Sequence, residues 1–119
     1  MRTGQHRQLD QLSEKEQLAA KEFVEKVRRH FDGQLVSTVL FGSRARGESA
    51  PDPDMDILVV MVSADLEIRQ EIRYLAIEVL LEHEIYLSTR VWSEAHWHEL
   101  GKLQTQLYRN ICRDGIDLL

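Results

Sequence analysis

An α+β domain built on a small mixed β-sheet is the architecture this sequence predicts, and three observations predict it. Segments with apolar residues at helical spacing alternate with short runs rich in β-branched residues. The strand-like runs are bounded by glycine, proline or polar turn residues, and no repeat, low-complexity tract or linker interrupts the chain. The order is helix, strand, loop, strand, helix, strand, helix, helix, which suits a sheet with its helices packed on one face and the other free to hold a site. A chain of 119 residues sustains one core, so residues 1–119 are read as a single domain with 1–11 as a flexible lead-in.

The first helix opens at "SEKE", Ser13 to Glu16, which has the form of a capping box. Ala19, Ala20, Phe23, Val24, Val27 and Phe31 follow at helical spacing, until Gly33 supplies a stop. "QLVSTVLF", Gln34 to Phe41, reads as a strand, being short, β-branched and bounded by glycine on both sides. The loop "GSRARGESAPDP" contains Pro51 and Pro53, which keep it irregular. Asp54 to Val62 reads as a second, central strand because its distal part is apolar on both faces. Ala64 to His83 carries Ile68, Ile72, Leu75, Ala76 and Val79 on one stripe, which predicts the second helix. "IYLSTRVW", Ile85 to Trp92, alternates as a third strand, with Ile85, Leu87, Thr89 and Val91 on the apolar face and Tyr86, Ser88, Arg90 and Trp92 on the other. Ser93 starts a further helical stretch, and Leu103, Leu107 and Ile111 line one face before Gly115 ends it.

Composition narrows the function classes. A hydrophobic fraction of 43% beside 29% charged residues is that of a folding globular chain rather than a disordered one. The net charge of −5 excludes a protein-wide positive field, so nucleic acid is not an expected partner and phosphate binding must be local. Cys112 stands alone and within an apolar segment, where a thiol packs as a small hydrophobe. No apolar run has the length to span a bilayer and the N-terminus lacks a signal-peptide core, so a cytoplasmic location is expected.

Chemistry concentrates in "FGSRARGESAPDPDMDILVV", Phe41 to Val60. Asp54 and Asp56 project to one face of a strand, and carboxylates this close repel unless a cation joins them; hard oxygen donors suit magnesium or manganese. Gly42 lets the chain approach a ligand closely, and Ser43 offers a hydroxyl and an amide. A helical turn beginning near Arg44 would aim amides at an anion, and Arg44 and Arg46 add charge that a triphosphate can use. Each feature alone is commonly a plain turn or a solvated strand cap; their conjunction predicts a site for a metal-bound polyphosphate.

At these residues the chain resembles the minimal nucleotidyltransferases of the DNA polymerase β-like superfamily, whose pattern runs Gly-Ser-x-Ala-Arg-Gly, a short loop, then Ser-Asp-x-Asp. The resemblance implies a nucleotidyltransferase fold, with Gly42 and Ser43 holding the β and γ phosphates of a nucleoside triphosphate, ATP above all. It also implies that Asp54 and Asp56 ligate magnesium, while Arg46 and Gly47 shape the loop and Arg46 forms either a phosphate contact or a structural ion pair. Two departures matter. Pro53 stands where the family has serine, and the third carboxylate that catalytic members place on the next strand falls at Tyr86. Glu84, sharing strand parity with Tyr86, is the fallback acid. The expected function is therefore magnesium-dependent transfer of a nucleoside monophosphate to a hydroxyl, with a HEPN-type helical protein as partner and the chain acting as its antitoxin. The alternative is a catalytically weak binding module that neutralises such a partner by occlusion. Apolar residues on the C-terminal helices leave self-association open. Trp92 and Trp97 are expected in the core or at an interface, and His96 and His98, two apart on a helix, make a poor metal pair.

Overall fold

The computed structural model describes residues 12–47 and 54–118. The lead-in and the prolines of the loop, including the Pro53 departure, lie outside the described residues. The elements run α1 (Glu14–His30), β1 (Leu35–Phe41), β2 (Met55–Met61), α2 (Leu66–His83), β3 (Leu87–Ser93), α3 (Glu94–Leu103), α4 (Gln106–Asp114) and β4 (Ile116–Asp117). The strands form one mixed sheet in the order β3-β2-β1-β4, with β1 antiparallel to β2 and β4 and with β2 parallel to β3. The α+β class read from the sequence is the observed one. The two-residue β4 was not anticipated, since it follows a helix stop and its pairing with Val39 and Leu40 is visible only in three dimensions.

Local signals set the helix ends. Ser13 and Glu16 complete the expected capping box, the Ser13 Oγ accepting from the Glu16 amide and the Glu16 carboxylate from the Ser13 amide. Asp65, Ser93 and Thr105 accept from the third residue of α2, α3 and α4 in the same way. Gln104, in the left-handed region at φ 52°, separates α3 from α4.

The placement of the last two helices corrects the expectation that every helix shares one face. Phe23 and Val27 of α1 and Ile72 and Val79 of α2 bury Met55, Ile57, Val59 and Leu87 on one side of the sheet. On the other side Trp97 of α3 and Ile111 of α4 bury Val39, Leu58 and Val60, with Trp92 and Tyr108 packed at the margin. The cause is β2 itself: from Ile57 to Met61 every residue is fully buried, so both faces of this central strand need cover. Asp54 and Asp56 share a face with Leu58 and Val60, so the polar end of the strand emerges on the side where α3 and α4 cover only its apolar half. No helix among the described residues is long and apolar enough to cross a membrane.

Candidate functional site

Backbone geometry brings the glycine-serine turn onto the carboxylates. Phe41 at the end of β1 pairs with Asp56 on β2, and Gly42 follows at once in the left-handed region, φ 79°. A Cβ at Gly42 would lie 2.5 Å from the Asp56 Oδ2, so the turn passes directly against the carboxylate and glycine is what makes that approach possible. The chain then winds through a tight turn in which the Arg46 amide donates to the carbonyls of Gly42 (3.3 Å) and Ser43 (3.1 Å) and the Gly47 amide to that of Arg44 (3.1 Å). Ala45 is fully buried and anchors the turn, while Ser43 is half-buried beside Gly42.

The two arginines of the motif brace this loop. Arg44, with only 15% of its side chain exposed, donates to the buried Glu16 carboxylate on α1, and Arg46 lies 3.9 Å from Asp114 at the end of α4. The ion pair that the resemblance allows for Arg46 is present. Burial alone would raise the Glu16 carboxyl, but the hydrogen bonds from Arg44 and Ser13 and the Arg44 charge together hold it below the usual carboxylate range. A lowered folded value means that the pair's stabilisation is present above the unfolded pKa of about 4.3 and is lost as pH falls through the folded value. Glu16→Gln is therefore expected to cost about 2 kcal/mol at neutral pH, with the gap to the unaltered chain narrowing on acidification. Urea midpoints measured across pH 3 to 7 check this; a gap that stays constant would remove the charge from the explanation.

Asp56 is half-buried and Asp54 exposed at the head of β2. The Asp56 carboxyl is pushed up by burial and then by the Asp54 charge, while Arg90 on β3 pulls it down. A carboxylate pair with this strain is relieved by a divalent cation, and its oxygen donors match what magnesium or manganese takes. The donor set thus fits the metal that the sequence implied.

The third acid reads differently in three dimensions. The alternation invoked for Glu84 does not reach it: β3 begins at Leu87, and Glu84 is the left-handed C-cap of α2, φ 57°. Its exposed carboxylate lies 3.4 Å from Lys15 of α1. A helix that must close before the chain enters the sheet decides this, and sequence parity cannot see it. Tyr86 is half exposed, and its carbonyl accepts from the Met55 amide (3.1 Å) where β2 and β3 start. Ser88 then stands opposite Asp56, and Arg90 opposite Leu58. Arg90 is the neighbour the sequence reading left out. Its place on the polar face was legible, but its proximity to Asp56 depends on the parallel register.

Glu22, Glu82 and His83 also gather, with ligand atoms within 4.8 Å of one another on the α1–α2 surface. Glu22 and His83 contact each other, and Lys26 pairs with Glu78 and Glu82, so this is a charge-matched helix seam. His83 belongs to that seam. Trp97 is buried and stacks on Trp92, as a core aromatic should.

Comparison with known proteins converges on the same chemistry. Residues 20–112 match the family model described as the nucleotidyltransferase domain. Over 100 residues the chain is 31% identical to a Methanocaldococcus jannaschii protein named, by inference, a protein adenylyltransferase, a match covering 84% of this chain and 94% of that one. Among solved structures it is similar to an inferred nucleotidyltransferase of Sulfolobus solfataricus, with TM-score 0.51 and 26% identity over 85% of this chain and 77% of that one. In fold alone it is similar to a chain in the crystal structure of a toxin–antitoxin with AMP-PNP, with TM-score 0.54 and 20% identity over 83% of this chain and 72% of the other. Since the family model spans most of the sequence and the archaeal relative is covered nearly end to end, the chain belongs to the nucleotidyltransferase domain family.

Proposed function

We propose that this protein transfers AMP from ATP to a hydroxyl on a partner protein, with magnesium held by Asp54 and Asp56, and that the partner is a HEPN-type toxin which the transfer silences. The observation that carries this reading is the contact between Gly42 and Asp56, where the turn suited to phosphates meets the carboxylate suited to the metal. The adenylyltransferase name of the archaeal relative and the toxin–antitoxin setting of a structural neighbour support the choice of reaction and partner.

Each residue has a task in that reading. Gly42 and Ser43 seat the β and γ phosphates, with Arg44 and Arg46 holding the turn in shape from behind through Glu16 and Asp114. Asp54 and Asp56 would hold the cation. Bound magnesium supplies charge neutralisation of the triphosphate and polarises the reacting phosphorus. The acceptor oxygen forms its bond to the α-phosphorus as the bond to the bridging oxygen breaks; pyrophosphate leaves and the hydroxyl proton passes to solvent. The protein contributes position and charge and no covalent intermediate.

A second reading, an occluding module that binds its partner without transfer, is favoured by one observation. On β3 Ser88 pairs with Asp56 and Arg90 with Leu58, and Tyr86 just precedes the strand, none of them acidic. Incubation of the chain and its partner with magnesium and ATP labelled at either the α or the γ phosphate separates the two. Label retained on the partner from the α position and not from the γ position is expected. A tight complex that acquires neither label would leave only the occluding module.

A further inference from the structure

We infer that the free edge of β3, with the flank of α2 above it, is the interface of a symmetric homodimer in which two copies of the chain join their sheets into one of eight strands. This assembly is independent of the transfer reaction proposed above.

Backbone groups point the way. β3 ends the sheet, and among the described residues no strand pairs with its outer side. The Met55 amide donates to the Tyr86 carbonyl, so Tyr86, Ser88, Arg90 and Trp92 turn their backbone groups toward β2. Leu87, Thr89 and Val91 therefore present amides and carbonyls outward, a strand edge open to another chain. Pairing with a second copy across a two-fold axis is antiparallel, and the side chains choose its register. With Thr89 opposite Thr89, Leu87 meets Val91 of the second copy, apolar on apolar, and Ser88 meets Arg90. An axis at Arg90 would instead set two guanidinium groups against each other.

The helix above agrees with that register. Leu87, Ser88 and Thr89 share a groove of about 410 Å³ with Arg73, Ile77 and Leu80, so an axis at Thr89 passes beside Ile77. Moving the axis to Val91 shifts it by about four helical residues and would bring Arg73 against Arg73. Tyr74, Ile77 and Leu81 lie 58%, 43% and 77% exposed at helical spacing, an apolar stripe without cover among the described residues. Across the axis the two α2 helices stand about two strand spacings apart, roughly 10 Å, which is the distance of packed helices. Their charges are complementary: this flank carries Arg69 and Arg73 in its N-terminal half and Glu84 at its C-cap, so antiparallel copies set each basic end beside the other's carboxylate. Cations near a helix N-terminus are opposed by their own dipole, and the C-terminal end of the second helix offsets that opposition. The seam runs the length of an 18-residue helix, about 27 Å, and is one helix and one strand deep, so it covers on the order of 600 Å² per copy, within the range of specific dimers. Asp54 and Asp56 project from the sheet face opposite α2, so both sites stay open on one side of the assembly.

Sedimentation velocity of the full chain at about 50 μM tests this, since an interface of this area is expected to hold at micromolar concentration. The expected species has twice the chain mass of 13.9 kDa; a monomer at every concentration would overturn the inference and leave the edge to some other occupant. Ile77→Lys, at an exposed position, is expected to raise the dissociation constant about tenfold or more with an unchanged circular dichroism spectrum. Thr89→Pro is expected to do the same, because an edge strand tolerates proline where the amide faces outward. A dimer indifferent to both changes would overturn this interface. Oxidation in a Cys112→Ser background reads the register: Thr89→Cys is expected to form an interchain disulfide, its Cα atoms standing at the roughly 5.5 Å of a hydrogen-bonded pair, and Val91→Cys is not. Cross-linking through Val91→Cys alone would overturn the pairing.

Discussion

Asp56→Asn is expected to lower the proposed AMP transfer by about a thousandfold or more, some 4 kcal/mol of transition-state stabilisation, because it removes a charged ligand from the proposed metal while keeping the side chain's shape. The same change should raise the melting temperature of the metal-free protein. The Asp56 carboxyl has a raised folded pKa, through burial first and the Asp54 charge second. For such a group the stabilising contribution is present below the unfolded pKa of about 3.9 and is lost as pH rises through the folded value. At neutral pH the ionised group therefore opposes folding, and neutral asparagine removes the opposition. Magnesium should raise the melting temperature of the unaltered chain and leave that of the variant nearly unmoved. Scanning calorimetry with and without magnesium, beside the labelled-ATP assay, reads all three effects. A variant that loses activity because it melts early would refute the electrostatic account.

Gly42→Ala carries the second largest effect, and it separates stability from chemistry. Alanine at φ 79° costs about 1–2 kcal/mol in backbone strain. The added Cβ also meets the Asp56 Oδ2 at 2.5 Å, and a carboxylate oxygen can swing aside at little further cost in stability. That swing moves a proposed metal ligand, and a displacement near 1 Å at a reacting centre can lower the rate about a hundredfold. The expected result is a modest shift in urea midpoint with a far larger loss of transfer. Equal losses in the two measurements would mean that the turn matters only as a turn. Gly33 offers an internal control: it has a similar positive φ with nothing within 4 Å of an added Cβ, so Gly33→Ala should carry the strain without the catalytic loss.

Much of this was legible in the chain. Capping residues, helical stripes and β-branched runs are local signals, and α1, β1, β2 and α2 fall within a residue or two of where those signals put them. The spacing of Asp54 and Asp56 and the glycine-serine turn before them were equally plain, since strand alternation and the freedom of glycine act within a few residues. Arg44 was legible only as a charge, because its partner Glu16 lies 28 residues earlier on α1. Glu84 was misread as part of a strand, because strand parity assumes an extended backbone and the chain is still leaving a helix there.

What the amino acids determined alone is the kind of chemistry: a carboxylate pair for a hard cation, a turn able to lie close to phosphate, and an α+β frame to hold them, each set by covalent geometry and neighbours along the chain. What only the tertiary structure decided is which distant groups share the site. Antiparallel pairing of β1 with β2 brings Gly42 against Asp56, parallel pairing of β2 with β3 puts Ser88 beside Asp56 and Arg90 beside Leu58, and α3 and α4 close over the rest of that face. Strand register is settled by burying both faces of β2 at once, a condition on the whole sheet that no single segment contains.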